Sequence, residues 1–147
     1  MKIKVNNREF DGKITYNAED RYYTIEVGQG KQVMGYVTFK TKRETRGNTI
    51  WINKIETYEQ FAHRGVGTAV IQLLEYFAYK NNISYMEGKF YPDNEYAKPF
   101  YEKLGYTIEK EYYETFVYKL LDFKEIKTQI APNITKYNLD EELENSL

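Results

Sequence analysis

Ala62-His63-Arg64-Gly65-Val66-Gly67-Thr68 lies between an extended run and an amphipathic one, and its reading decides the rest. Ahead of it, Thr49-Ile50-Trp51-Ile52-Asn53-Lys54-Ile55-Glu56-Thr57 is β-branched and apolar at alternate positions, which predicts a strand. Behind it, Val66, Ala69, Val70, Leu73, Leu74, Phe77 and Ala78 recur at helical spacing, so one apolar face of a helix runs from Val66 to about Lys80. A loop with two glycines therefore feeds directly into the first turn of a helix. The first N–H groups of a helix have no partner inside it, and the helix dipole adds partial positive charge there. Gly65 and Gly67 carry no Cβ, so a ligand can approach the main chain closely. Strand, glycine loop and helix start together suit a phosphate group. Arg64 adds a cation beside them. The competing reading of two glycines before a helix is a tight strand-to-helix turn with no ligand.

The stretch Asn94-Glu95-Tyr96-Ala97-Lys98-Pro99-Phe100-Tyr101-Glu102-Lys103-Leu104-Gly105-Tyr106 weighs against that reading. Taken with the first stretch, it resembles the GCN5-related N-acetyltransferase superfamily. The pyrophosphate loop of that family reads Gln/Arg-x-x-Gly-x-Gly/Ala, and residues 62–67 match at both glycines, with Ala62 standing in place of Gln or Arg. The second motif reads Asn-x-x-Ala-x-x-x-Tyr-x-x-x-Gly-Phe. Asn94, Ala97, Tyr101 and Gly105 fit it, with Tyr106 for the Phe. The resemblance spans roughly residues 20 to 120.

What the resemblance implies is transfer of an acetyl group from acetyl-CoA to an amine by direct attack. Gly65, Val66, Gly67 and Thr68 are expected to offer N–H groups to the pyrophosphate, with Arg64 beside them. The main chain at Ile55 and Thr57 is expected to meet the pantetheine arm and the acetyl carbonyl. Asn94 fits a side-chain contact to the pantetheine, and Tyr101 the general acid. A carboxylate is needed to take the amine's proton, directly or through one water. Glu56 is the first choice and Glu87 the second, and strand parity, which the sequence leaves open, decides which faces the cleft. His63, in the pyrophosphate loop, suits a loop or phosphate role better than catalysis.

Bulk properties agree. The chain has 147 residues, no cysteine, one histidine and a formal net charge of −1. Such a length suits one domain. Without cysteine there is no thiolate nucleophile, disulfide or thiolate metal site, and one histidine excludes a multi-histidine metal centre. The charge gives no argument for nucleic acid or an anionic membrane. No apolar run has the length of a membrane span, and Met1–Arg8 lacks a signal-peptide core. A cytoplasmic location with no metal is therefore expected, and acetyl-CoA as cosubstrate is what the resemblance implies.

In chain order, residues 1 to 20 predict two short strands turning at Asp11-Gly12. Tyr22–Val27 and Val33–Lys40 predict a hairpin over Gly28–Lys31, and Gly47-Asn48 a turn before the strand at Thr49. After the helix, Asn81-Asn82 is the stop and Ile83–Phe90 the next strand, which implies a parallel, right-handed crossover. Pro92-Asp93-Asn94 predicts a turn, with Asp93 or Asn94 capping a helix that begins near Lys98, keeps Pro99 in its first turn and ends at a left-handed Gly105. Tyr106–Leu121 reads as strand, broken near Lys110-Glu111. The fold class is thus α/β (α+β): a mixed, mostly antiparallel twisted sheet with one parallel strand–helix–strand unit and helices packed on it. Residues 1–121 form the acetyltransferase-like domain. Residues 122–147 form a tail that is a short helix or partly disordered, with Phe123, Ile126 and Ile130 on one side, Pro132 as the stop, and an acidic run at Asp140–Glu144.

The family normally places a strand and two helices before its central hairpin, and this chain is too short there for them. Its acceptor pocket is expected to be open, or completed by the tail or by a second subunit of a homodimer. A rival function is a non-catalytic acetyl-CoA sensor or scaffold module. The acceptor's identity is not written in the sequence.

Overall fold

The computed structural model describes residues 1–44, 47–91 and 94–144. Its strands are β1 (Lys2–Val5), β2 (Arg8–Asn17), β3 (Tyr22–Gln29), β4 (Gln32–Glu44), β5 (Gly47–Thr57), β6 (Tyr85–Phe90), β7 (Thr107–Glu111), β8 (Glu114–Leu120) and β9 (Ile134–Thr135). The helices are α1 (Val66–Lys80), α2 (Ala97–Lys103), α3 (Phe123–Glu125) and α4 (Leu139–Glu144). The strands form one sheet in the order β7-β8-β6-β5-β4-β3-β2-β1-β9. Every neighbouring pair is antiparallel except β5 with β6, which α1 connects. The expected mixed α+β architecture is the observed one, and α1 has the predicted limits.

The helices lie on one face of the sheet. Ile14, Ile25, Val27, Val37, Phe39, Ile50, Ile52 and Met86 point to that face and meet Ala69, Val70, Leu73, Leu74, Phe77 and Ala78 of α1 in one buried core. The opposite face carries Thr24, Glu26, Tyr36, Thr38, Lys54, Glu56, Trp51, Glu87 and Tyr118, by strand alternation and register. β2 passes to β3 through residues 18–21, with no helix between them.

The turns differ from the sequence reading in instructive ways. The first hairpin turns at Asn6-Asn7, both left-handed at φ 50° and 65°, and not at Asp11-Gly12. Asparagine tolerates that conformation and supplies the turn. Gly12 lies inside β2, where a Cβ would stand 2.8 Å from a Leu73 methyl, so it serves close packing of α1. The next hairpin turns at Gly30-Lys31, because β3 runs on to Gln29. Gly47 and Asn48 belong to β5, paired with Glu44 and Arg43. The break before β8 falls at Tyr112-Tyr113, where Tyr112 has φ 53°. Pro92 and Asp93 lie outside the described residues.

Residues 122–143 pack against the domain. Asp122 caps α3 by accepting from Lys124 N–H and Glu125 N–H. Ile126, Ile130 and Ile134 are buried, and Tyr137 meets Tyr76 of α1 edge-on at 4.9 Å. A wide π-type turn (Ile126–Ile130) leads into a 3₁₀ turn (Ala131–Asn133) that holds Pro132, and β9 pairs with β1. These segments sit on the helix-bearing side and at the β1–β2 edge, so residues 122–143 do not wall the opposite face. Among the described residues no helix is long and apolar enough to cross a membrane.

Candidate functional site

Two strands that run parallel and then part make the site. β5 and β6 pair from Thr49 with Tyr85 to Ile52 with Gly88, yet β5 continues to Thr57 and β6 to Phe90. Opposite the parting, the β4–β5 ladder slips, with Thr38 facing Lys54 and Phe39 facing Ile52. Asn53 is the extra residue, and such a bulge bends its strand. A slot therefore opens between the carboxyl ends of β5 and β6, where ligands of α/β sheets bind.

The bulge also settles strand parity. Ile50 and Ile52 face α1, but after Asn53 it is Ile55 and Thr57 that do so, opposite Val37 and Gly35. Glu56 lies opposite Tyr36 on the helix-free face, and Glu87, opposite Trp51, shares it. Tyr58 N–H donates to the Met34 carbonyl at 3.0 Å, so the alternate main-chain groups, those of Ile55 and Thr57, turn toward the slot.

On the helix side, His63 and Gly65 are both left-handed, at φ 63° and 83°. The first intrahelical bond, Ala69 N–H to Gly65 carbonyl, is 3.0 Å long. The N–H groups of Val66, Gly67 and Thr68 precede it and face outward. A Cβ at Gly67 would stand 2.9 Å from the Phe100 ring and 3.4 Å from Thr57 Oγ1, so this glycine lets α2 pack closely against the start of α1. Arg64 is exposed, its guanidinium 5.6 Å from the centre of the Phe61 ring. Asn94 Oδ1 accepts from Ala97 N–H at 3.2 Å and Tyr96 N–H at 3.3 Å, which caps the turn into α2 and leaves its amide NH₂ free of partners among the described residues.

Tyr101 is buried on α2, its ring among Phe100, Tyr106 and Phe90 at 5.3, 5.5 and 5.9 Å. Burial pushes its pKa above the ordinary tyrosine value, since the phenolate would be poorly solvated there. Its hydroxyl makes no hydrogen bond among the described residues. On the other face, Glu56 is half-buried. Its Oε2 accepts from the Tyr36 hydroxyl at 2.9 Å and lies 3.5 Å from Lys54 Nζ. Its Oε1 keeps no partner among the described residues. Burial first, then the Glu56 bond, raise the Tyr36 pKa, so that phenol is a donor. Glu87 has no such partners among the described residues. The sequence reading gives no role to Phe100 or Tyr36. The Phe-Tyr pair within the second motif was the only signal for the first.

The Acetyltransferase (GNAT) family model matches residues 4–106. The chain belongs to the GNAT acetyltransferase family. No curated protein matches its sequence. Among solved structures, the GNAT fold recurs in an IAA acetyltransferase from Bacillus cereus, at TM-score 0.61 and 18% identity over 69% of this chain and 79% of that one. A putative streptothricin acetyltransferase from Bacillus anthracis, in complex with acetyl coenzyme A, matches at TM-score 0.60 and 20% identity over 72% and 66%. Arabidopsis thaliana Naa50, in complex with the bisubstrate analogue CoA-Ac-MVNAL, matches at TM-score 0.59 and 18% identity over 67% and 72%. At these identities the likeness is one of fold.

Proposed function

We propose that this GNAT protein transfers the acetyl group of acetyl-CoA directly to a primary amine. The observation that carries the reading is the slot between β5 and β6, with a helix N-terminus and a buried tyrosine on one side of the sheet and a held carboxylate on the other. Gly65, Val66, Gly67 and Thr68 would bind the pyrophosphate through main-chain N–H groups, and Arg64 would pair with it. The slot-facing main chain at Ile55 and Thr57, with the free amide of Asn94, would hold the pantetheine, and a main-chain N–H would polarise the thioester carbonyl. Glu56 would accept a proton from the amine through its free Oε1. The amine nitrogen attacks the carbonyl carbon, a C–N bond forms, and the C–S bond breaks. Tyr101 then gives its proton to the departing thiolate.

Glu56 takes precedence over Glu87 because two partners fix its carboxylate. A fixed base stands at one distance from its target, and geometry comes before pKa in choosing a base. The test is a screen of small amines, polyamines, amino acids and peptides with released CoA thiol as readout, beside calorimetric titration of acetyl-CoA. Turnover of one amine class supports the reading. Tight acetyl-CoA binding with no acetylation of any amine supports a sensor instead, and absence of binding removes both.

A further inference from the structure

Glu75 is an unusual residue for its position. It lies in the middle of α1 at 3% exposure, flanked by Leu73, Leu74, Phe77 and Ala78 of the core. A carboxylate is tolerated in such a place only with partners. Its Oε1 accepts from Lys119 Nζ at 2.8 Å and from the Tyr106 hydroxyl at 3.3 Å. Lys119, on β8, reaches further. The same Nζ donates to the Leu104 carbonyl at 2.9 Å, where α2 ends, and lies 5.2 Å from the centre of the Tyr106 ring. Gly105 is left-handed at φ 86°, and a Cβ there would stand 3.4 Å from that ammonium. One point in the molecule thus joins α1, β8 and the end of α2.

Filling the core does not require this arrangement. The motif that Tyr106 completes ordinarily ends in Phe, which has no hydroxyl to place. A buried ion pair also contributes little stability over apolar side chains of the same size. What it adds is direction, because each partner accepts or donates along fixed lines. Direction matters for α2, which is seven residues long. So short a helix does not persist without tertiary contacts. Yet it carries Phe100, packed closely on Gly67, and Tyr101, packed on the ring of Tyr106.

We infer that Glu75, Lys119 and Tyr106 are positioning residues: together they register α2 against the helix bearing the phosphate-binding turn, and so place the Tyr101 hydroxyl. The inference rests on the reading of Tyr101 as the acid. None of the three is required to touch substrate.

The test uses the double variant E75L/K119M, which removes both charges together and avoids the orphaned charge that either single change leaves. Hydrogen exchange, acetyl-CoA titration and turnover are measured on it with and without Tyr101→Phe. The expected signature is α2 amides exchanging about tenfold faster while those of α1 keep their protection. Turnover falls about tenfold, acetyl-CoA affinity stays within about threefold, and the turnover loss vanishes in the Tyr101→Phe background, as coupled sites require. Tyr106→Phe, which keeps the ring, shows the same pattern at roughly two- to threefold and serves if the double variant does not fold. Unchanged α2 exchange overturns the inference whatever turnover does. So does a turnover loss of equal size in the Tyr101→Phe background. Wild-type turnover in Tyr101→Phe alone is a separate failure, that of the acid assignment, and leaves the exchange result to judge the anchor.

Discussion

The two faces of the sheet are built by different rules. The helix-bearing face is apolar, closed and shaped by main chain: a close helix contact at a glycine, the exposed N–H groups of α1 and a short helix held by a buried ion pair. Among the described residues the opposite face has no helix over it and relies on side chains of β4, β5 and β6, such as Tyr36, Lys54, Glu56 and Glu87. A ligand held by main chain depends on where the backbone goes. A ligand held by side chains depends on which way each residue points. The first is robust to substitution at most positions, and the second is open to change at every one.

The sharpest test of this contrast is Gly67→Asp. A carboxylate there would crowd Phe100 and repel the pyrophosphate, so acetyl-CoA affinity is expected to fall by more than about 10²-fold, like-charge contacts costing several kcal/mol. Calorimetry on a variant with wild-type circular dichroism checks it, and unchanged affinity removes the turn from the cosubstrate site. Tyr101→Phe is expected to lower turnover by about 10²- to 10⁴-fold with little change in acetyl-CoA affinity. Burial raises this phenol's pKa, so the neutral, proton-donating form persists as pH rises. An alkaline fall in rate below about pH 10 therefore belongs to another group, and the same limb in the residual rate of Tyr101→Phe would show it.

On the open face, Glu56→Gln is expected to lower turnover by about 10²-fold and Glu87→Gln by less than about fivefold, because only the former removes the proposed general base. The reverse ranking would transfer the role to Glu87. The smallest effects compare packing. Phe39→Ala, under α1, is expected to cost about 3–5 kcal/mol in urea unfolding. Trp51→Ala, on the open face beneath Lys42, is expected to cost about 1 kcal/mol or less. Equal losses would mean that the open face is as tightly packed as the closed one.

The same contrast explains what was legible in the sequence. The glycine turn, the limits of α1, the parallel crossover and the left-handed Gly105 all follow from local backbone chemistry, and spacing alone carries that. The parity of Glu56 was not legible. Counting by twos from Ile52 places Lys54 and Glu56 inside, and only the extra residue at Asn53 turns them out. A bulge leaves no composition signal, because it depends on a partner strand that is distant in sequence. The turn at Asn6-Asn7 lost to Asp11-Gly12 for a related reason: Gly12 is needed by Leu73, a contact 61 residues away in the chain. The packing of residues 122–143 was hidden too: Ile126, Ile130 and Ile134 recur every four residues as on one helix, yet they lie across a π-type turn, a 3₁₀ turn and a strand.

Asn53 divides β5 into two reading frames. Residues before it answer to the core beneath α1 by one count of alternation, and residues after it by the other. Substitution within either half alters one frame and leaves its neighbour intact. Loss of a single residue at the junction would do something no substitution can. It would merge the frames without turning a side chain over, since counting by twos from Ile52 would then land on Ile55 and Thr57, and it would take away the bend that carries β5 off from β6.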